Sequence, residues 1–274
     1  MTTTHIATSR DTATLTYVGG PTALIELRGL RFLTDPTFDS AGARHPGATG
    51  TYVLEKTMGP ALDGRELGHV DAVLLSHDHH ADNLDGAGRA MLRRADRVLT
   101  TAAGAERLGG HSIGMRPWDT VVLPTPDGRE IRVTATPARH GPEGGDRGPV
   151  VGFVLQPVHA PDEGIYVTGD TVWYEGIAEV ARRFAVRAIV AFLGAARVAA
   201  VGPSHITLTA EEGVELARAF PTATVVPLHF EGWAHFTEGR SEIAAAFASA
   251  GLEHRLRWPE PGRPVGLITE LYGE

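Results

Sequence analysis

The amino-acid sequence predicts a mixed α/β (α+β) protein, and two patterns support this fold class. Short β-branched stretches separated by glycine or proline turns begin each half of the chain, at residues 12–34 and 120–135, and are typical of hairpins. From residue 165 onward, apolar runs instead alternate with stretches of helical spacing. The 274 residues are 42% hydrophobic and 21% charged, which is an ordinary globular composition. Since no linker or short repeat interrupts them, we expect a single domain over residues 1–274.

The predicted strands are short apolar runs that end at turn residues. Gly19-Gly20-Pro21 separates the first strand from the second, and Gly29 separates the second from the third. Residues 126–128, which read PDG, join a later pair of strands in the same way. The predicted strands cover residues 12–18, 22–27, 30–34, 70–75, 98–100, 120–123, 131–135, 150–155, 165–168, 188–193 and 224–228.

Other stretches have helical periodicity. In residues 84–95, apolar side chains recur on one face and arginines on the opposite face. The predicted helices cover residues 84–95, 102–108, 175–184, 208–220 and 241–250. Two segments rich in glycine, 40–59 and 141–149, have little periodicity and are predicted to be loops. We expect these loops to determine the choice of substrate.

Charge and composition exclude several classes of function. The net charge is −8 and no run of Lys and Arg is present, which disfavours a nucleic-acid partner. There are no cysteines, which excludes disulfides, thiolate metal ligands and a cysteine nucleophile. Neither a signal peptide nor an apolar run of about 20 residues is found. We therefore expect a soluble, cytoplasmic protein that acts on a small molecule without a membrane partner. Whether it forms a homo-oligomer is left open.

The densest group of chemically active residues is the segment 76–85, which reads SHDHHADNLD. It places three imidazoles and three carboxylates directly after the apolar run 70–75, which has the composition of a buried strand. Divalent cations such as zinc prefer these ligand types, and ligands two or three residues apart can converge on one ion from a loop or a strand end. The segment therefore predicts a metal site.

Three further strands are followed by residues that can bind metals, namely His140, Asp170 and His229. A single histidine at a strand end is more often a hydrogen-bonded structural residue than a ligand. Four strand ends that all carry His or Asp are a stronger indication, because they can focus on one or two ions at the edge of a sheet.

The order of these residues resembles that of the metallo-β-lactamase fold superfamily. The resemblance covers nearly the whole chain and is carried by the words LTDP at 33–36, LLSHDHHADNLD at 74–85, TPARHG at 136–141, VTGDT at 167–171 and PLHFEGW at 227–233. The chain most resembles the branch that contains ascorbate-6-phosphate lactonase and the N-acyl phosphatidylethanolamine phospholipase D type hydrolases. The resemblance implies a four-layer αββα sandwich of the metallo-β-lactamase type that holds one or two divalent metal ions. Zinc is the expected ion, and manganese and iron are the alternatives.

The family pattern also implies a set of ligands, in the order of an HxHxDH loop, a His, an Asp and a His. The first ion would be held by His77, His80 and His140, the second by Asp82 and His229, and Asp170 would bridge the two ions. Asn83 stands where the family has the last histidine of its loop. Because an amide oxygen is a poorer zinc ligand than an imidazole, we expect the second ion to be loosely held, replaced by a harder metal such as manganese, or absent.

The loop of this chain is one residue longer than the family pattern, so two registers are possible. Aligned from the left, the first pair of histidines is His77 and His79. Aligned on the aspartate, His80 is the second histidine and Asp78 falls at the first position. We favour His77 with His80, with the extra residue bulged between them, and keep His79 as the reserve ligand.

By resemblance, the expected activity is that of a metal-dependent hydrolase in which a metal-bound hydroxide attacks a small cytoplasmic ester, lactone or phosphodiester. Asp82 would orient this nucleophile as well as bind metal. His235 and His205 are candidates for delivering a proton to the leaving group. Asp35 is a candidate to accept a hydrogen bond from a ligand histidine.

Two alternatives remain open. The irregular loop at residues 77–83 suggests a non-catalytic or weakly metallated ligand-binding protein on the same fold. A nuclease of the same fold is the other alternative, and the acidic balance of the chain disfavours it.

Overall fold

The computed structural model describes residues 10–47, 50–145 and 147–270, which form two large β-sheets, a two-stranded sheet and five α-helices. The strands are β1 (Arg10–Gly19), β2 (Thr22–Leu27), β3 (Leu30–Thr34), β4 (Arg44–Pro46), β5 (Val53–Glu55), β6 (Ala72–Leu74), β7 (Val98–Thr101), β8 (Ser112–Met115), β9 (Thr120–Pro124), β10 (Glu130–Pro137), β11 (Val151–Pro157), β12 (Gly164–Val167), β13 (Val186–Phe192), β14 (Thr224–Leu228) and β15 (Pro264–Glu270). The helices are α1 (Gly86–Leu92), α2 (Ala102–Leu108), α3 (Glu175–Arg183), α4 (Ala210–Ala219) and α5 (Arg240–Ser249).

Both large sheets contain antiparallel and parallel strands. The first has the order β15-β1-β2-β3-β6-β7-β8, and its strands β3, β6, β7 and β8 run parallel. The second has the order β14-β13-β12-β11-β10-β9, and its strands β12, β13 and β14 run parallel. Neighbouring parallel strands end on the same side of a sheet, and binding sites of α/β proteins lie beyond those carboxyl ends. This topology brings the residues after β3 and β6 together, and likewise those after β12 and β14.

The main hydrophobic core lies between the two sheets, and β13 shows how the sequence builds it. Its residues Ala188, Val190 and Phe192 belong to the core between the sheets, whereas Ile189 and Ala191 belong to the core beneath the helices. Side chains of a strand alternate between its two faces. Because both faces of β13 are covered, the strand reads as a continuous apolar run rather than an alternating one.

Helices cover the outer faces of both sheets. Ile177, Leu216 and Phe247, from α3, α4 and α5, pack on the second sheet, and Met91 and Leu92 of α1 pack on the first. The layers are therefore helix, sheet, sheet and helix, which confirms the αββα sandwich. In the part of the chain that the structure describes, none of the helices combines the length and the apolar character needed to span a bilayer.

The structure differs from the predicted elements in one helix and in several strands. The predicted helix 84–95 is helical only over Gly86–Leu92. The predicted strand 70–75 is regular only over Ala72–Leu74, and the predicted loop 40–59 contains β4 and β5. Strands β8 and β15 are absent from the prediction because glycine and proline obscure their alternation. Tertiary pairing with β7 and β1 recruits these two segments into the first sheet.

Candidate metal centre

The predicted ligands meet at an edge where the two sheets are joined by backbone hydrogen bonds. The N–H of Val151 donates to the carbonyl of Ser76 over 3.1 Å, and the N–H of His229 donates to the carbonyl of Gly20 over 2.9 Å. His229 has a φ of 55°, which is uncommon for a residue other than glycine and is often found at functional sites. The end of β14 is thus held in an unusual conformation beside the first sheet.

His77 is held by a chain of hydrogen bonds that begins at Asp35. Asp35 Oδ1 accepts bonds from the backbone N–H and the hydroxyl of Ser76, both over 2.8 Å. Because the hydroxyl proton points to Asp35, Ser76 Oγ accepts a bond from His77 Nδ1, 2.9 Å away. Burial and the charge of Asp170 raise the pKa of Asp35, and Oδ1 can accept in either protonation state. The neutral His77 ring therefore keeps a lone pair on Nε2. The sequence predicted a direct hydrogen bond from a histidine to Asp35, but in the structure the hydroxyl of Ser76 lies between Asp35 and His77.

His80 and His140 direct ring nitrogens at the same place. Nδ1 of His140 donates to the carbonyl of Ile206 over 2.7 Å, which leaves a lone pair on Nε2 in the neutral ring. Nδ1 of His80 lies 2.8 Å from His77 Nε2 and 3.1 Å from His140 Nε2. Three buried ring nitrogens therefore converge. In His77 and His140, the hydrogen bond made by Nδ1 leaves the lone pair of the neutral ring on the converging Nε2 atom.

Asp170 connects this group to a second one. Its Oδ2 lies 3.6 Å from His140 Nε2, and its Oδ1 lies 3.3 Å from His229 Nε2. Asp82 Oδ2 is 3.7 Å from the same nitrogen of His229 and 3.0 Å from His235 Nε2. Asp170 thus stands where a bridging ligand is expected, with Asp82 and His229 on its far side.

The separations of these atoms fit ligands that share metal ions. Around a tetrahedral ion with bonds of about 2.0–2.1 Å, ligand atoms lie about 3.3 Å apart, and the separations in this cluster run from 2.8 to 3.7 Å. Both oxygens of Asp170 and Nε2 of His229 are buried without a hydrogen bond, which costs about 1–3 kcal/mol for each group unless a ligand binds there. Among the described residues whose ligand atoms lie within 4.8 Å of one another are two groups in this cluster that include Asp170. One consists of His77, His140 and Asp170, and the other of Asp82, Asp170 and His229.

Burial and neighbouring charges set the protonation states that a metal requires. Burial, with the charges of His80 and His140, lowers the pKa of His77 well below its usual value. Burial and the charge of His140 lower the pKa of His80 to about 3. Burial alone would raise the pKa of Asp170, but the contact with His229 outweighs it and lowers that pKa. His77 and His80 are therefore neutral and Asp170 is ionised at neutral pH, which are the protonation states that a metal requires.

The two other residues that the alternative registers of the loop 77–83 bring into question, Asp78 and His79, make other contacts. The carboxylate of Asp78 forms an ion pair with Arg107, in which Nε donates to Oδ2 over 2.9 Å. Nε2 of His79 donates to the carbonyl of Arg147 over 2.8 Å, while its Nδ1 has no hydrogen bond. The ligand atoms of His79 and the other two histidines of the loop lie within 4.8 Å of one another, so His79 stays the reserve ligand.

His205 and Asn83 lie outside the two groups of converging atoms. Nε2 of His205 lies 3.0 Å from Oε1 of Glu212, a residue that also caps the start of α4. The predicted role of His205 in proton delivery is therefore not supported by a contact with the cluster, and it stays a prediction. Asn83 is fully buried, and neither polar atom of its side chain has a hydrogen-bond partner.

Two supporting residues escaped the sequence analysis. Ser76 directly precedes the first histidine, and only its contacts with Asp35 and His77 reveal its role. Lys56 lies in the segment predicted to be a loop, and its Nζ forms a buried ion pair with Asp85 over 2.9 Å. Neither position has a local signal, because each role depends on a partner distant in the chain.

The cluster is nearly closed to solvent. His77, Asp170 and His229 are 0% exposed, while Asp82 and His80 retain 5% and 6% exposure. A small apolar group packs near these residues and consists of Leu54, Ala196, Val198, Ile206 and Trp233, with Tyr52, Ala81, Val201 and Phe236 partly buried against it. The guanidinium of Arg147 donates to the Tyr52 hydroxyl over 3.1 Å, so it joins the predicted substrate loops 141–149 and 40–59.

Comparisons with known proteins agree with this architecture. Residues 30–230 match the beta-lactamase superfamily domain. Over 264 residues the chain is 24% identical to the UPF0173 protein YddR of Bacillus subtilis (strain 168), and the alignment covers 90% of this chain and 97% of that protein.

Solved structures show the same fold. A possible metal-dependent hydrolase from Veillonella parvula DSM 2008 superposes with a TM-score of 0.79 at 19% identity, covering 93% of this chain and 100% of that chain. The isothiocyanate hydrolase from Delia radicum gut bacteria superposes with a TM-score of 0.75 at 23% identity, covering 92% and 98% of the two chains. Identities this low indicate a shared fold and leave the substrate undetermined.

Proposed function

The chain belongs to the beta-lactamase superfamily, among its metallo-hydrolases, and we propose that it cleaves a small cytoplasmic ester, lactone or phosphodiester at the cluster described above. The observation that carries the proposal is the convergence of three imidazole nitrogens on one point and of two carboxylates and an imidazole on a second. A divalent ion, zinc foremost, would supply a water molecule of lowered pKa and polarise the carbonyl or phosphoryl oxygen of the substrate. The residues that would hold the ions are His77, His80, His140, Asp82, Asp170 and His229.

The surrounding residues fix which atoms carry protons. The bonds from Nδ1 of His77 and His140 keep both Nε2 lone pairs available for metal. Burial alone would raise the pKa of Asp82, but the contact with His235 and the charge of His229 outweigh it and hold that pKa well below its usual range. An ionised Asp82 on the more exposed side of the cluster can orient the attacking water and accept its proton.

Closure of the site favours a small molecule over a nucleic acid. A nuclease must admit a phosphodiester backbone along a positively charged groove, whereas these ligands are at most 6% exposed and the chain carries a net charge of −8. The apolar group containing Leu54, Ile206 and Trp233 would pack against the carbon skeleton of a small substrate. Arg147 and Tyr52 would contact a polar or anionic substituent at the entrance.

Elemental analysis of protein purified without an affinity tag or chelator tests the proposal. We expect about one or two equivalents of a divalent metal, zinc first, in the wild type. His140→Ala and Asp170→Ala should lose most of this metal, because each removes a converging ligand atom. His159→Ala is the matched control. It also replaces a histidine, but His159 is exposed and follows the end of β11 that lies opposite Val151, the residue bonded to Ser76 beside the site. No bound metal, and none taken up on titration, would favour the ligand-binding alternative instead.

A substrate screen then tests the chemistry. The metal-loaded wild type should hydrolyse at least one member of a panel of lactones, carboxylic esters and phosphodiesters. A chelator should abolish turnover, and the metal identified by elemental analysis should restore it. Turnover that persists after complete removal of metal would refute the proposed mechanism.

A further inference from the structure

We propose that His235 is a ligand of the second metal ion, supplying from the loop after β14 the imidazole that Asn83 does not supply after β6. The inference rests on the proposed function, since it presupposes a metal site. It assigns His235 a role different from the proton delivery expected from the sequence, and it makes the second subsite a complete one.

The first support is distance. Nε2 of His235 lies 3.0 Å from Oδ2 of Asp82, an oxygen that is 3.7 Å from His229 Nε2. His229 Nε2 is in turn 3.3 Å from Oδ1 of Asp170. All three separations are close to the spacing of about 3.3 Å expected between ligand atoms on one tetrahedral ion. Two imidazole nitrogens and two carboxylate oxygens are therefore linked in one chain of close contacts. Four nitrogen and oxygen ligands are the number that zinc takes in a tetrahedral site.

The second support is the direction of the ring. Both nitrogens of His235 are buried, and neither has the geometry of a hydrogen bond to any residue that the structure describes, although Nε2 is only 3.0 Å from Asp82 Oδ2. At that distance a hydrogen bond requires the ring N–H to point at the oxygen, and here it does not. His235 Nε2 and Asp82 Oδ2 are thus close together without forming a hydrogen bond, as two atoms that bind the same metal ion would be. A structural histidine of this burial would instead have its nitrogens paired.

The third support is the fixed position of the ring. The side chain of His235 is 9% exposed and packs against Phe236, with ring centroids 4.6 Å apart, and against Trp233 at 6.5 Å. Its carbonyl accepts a bond from the N–H of Arg197 over 3.0 Å. The two aromatic neighbours and the anchored backbone restrict the orientation of the imidazole before any ion binds.

Asn83 explains why a replacement is needed. It directly follows Asp82, where an imidazole would complete the loop, and its side chain is fully buried with both polar atoms unpaired. A neutral amide oxygen holds zinc more weakly than an imidazole nitrogen does. Without His235, the second subsite would be left with Asp82, Asp170 and His229 alone.

The test is a competitive titration of metal-free protein with Zn²⁺ against a chromophoric chelator, combined with metal counts after dialysis. The variants are His235→Ala and His235→Phe, the second of which keeps an aromatic ring in the packing but has no nitrogen. His159→Ala is the control, and circular dichroism establishes that each protein is folded. We expect the wild type and the control to bind two ions. Both His235 variants should bind the first ion normally and the second at least about 100-fold more weakly, because a ligand is lost.

Other results separate the inference from the proposed function. If folded His235 variants bind two ions with wild-type affinity and lose only turnover, His235 is a proton donor and the inference is overturned. If the wild type binds a single ion, the inference is overturned while the hydrolase proposal stands. If the wild type binds none, the proposed function fails and the inference fails with it.

Discussion

Replacing Ser76 with alanine tests whether Asp35 controls the metal site through the hydroxyl that lies between it and His77. The Ser76→Ala substitution removes the bond from the hydroxyl to Asp35 Oδ1 over 2.8 Å and the bond from His77 Nδ1 over 2.9 Å. Asp35 Oδ1 keeps its bond from the backbone N–H of residue 76, so the buried nitrogen of His77 is the group left without a partner. The ring then no longer prefers the tautomer with a free lone pair on Nε2.

Two magnitudes follow from these contacts. A buried nitrogen without a hydrogen bond should lower the free energy of unfolding of the metal-free protein by about 1–3 kcal/mol. Loss of a bond that orients a ligand should weaken metal binding by about 10- to 100-fold. The backbone conformation should be unchanged, because Asp35 still bonds the N–H of residue 76.

Urea denaturation of the metal-free protein and competitive Zn²⁺ titration measure both effects. Thr100→Val is the matched control, since it removes a fully buried hydroxyl that has no hydrogen bond while preserving shape. We expect this control to bind metal like the wild type. Wild-type metal affinity in folded Ser76→Ala protein would show that the chain from Asp35 to His77 does not prepare the ligand, and would refute the reasoning.

Two further predictions concern pH and the register of the loop. Burial and His140 hold the pKa of His80 at about 3, against an ordinary value of 6.5 that the unfolded chain keeps. As pH falls below 6.5 the unfolded state therefore takes up the proton first, so the stability of the metal-free protein should fall by up to about 1.4 kcal/mol per pH unit from this residue. Urea midpoints between pH 7 and 4 measure this slope, and an equal slope in His80→Gln would exclude His80 as its source. Asp78→Asn should lower the free energy of unfolding by about 1–3 kcal/mol through the weakened bonds to Arg107, yet leave the bound metal unchanged. Metal loss in that variant would instead make Asp78 a ligand.

The sequence predicted much of the fold because most elements have strong local signals. The three strands β1 to β3 follow from alternating apolar residues and from glycines at the turns. Helices α4 and α5 each begin and end within two residues of their predicted bounds. The strands that escaped prediction, β8 and β15, have glycine or proline in short segments and are regular only because neighbouring strands pair with them. Local propensity is weakest where tertiary pairing provides most of the order.

Some residues of the candidate site could likewise be predicted from local sequence, whereas others depend on tertiary contacts. His77, His140, Asp170 and His229 could be singled out because each follows an apolar run, and such positions collect at one edge when parallel strands align. The register of the loop could not be resolved, since His79 and His80 are adjacent and chemically identical. Their contacts differ in the folded chain, because His79 is bonded to the distant carbonyl of Arg147, whereas Nδ1 of His80 faces the nearby His77 and the distant His140.

By itself, the sequence determined the fold class, the types of candidate ligand and the order in which they occur, because residue chemistry and periodicity are local properties of the chain. Only the tertiary structure decided the distances between the candidate ligands, the bridge from Asp35 through Ser76 to His77, and the position of His235 beside Asp82. Those features join residues from different strands and loops. Their geometry is set by how the two sheets pack against each other, which no single stretch of sequence encodes.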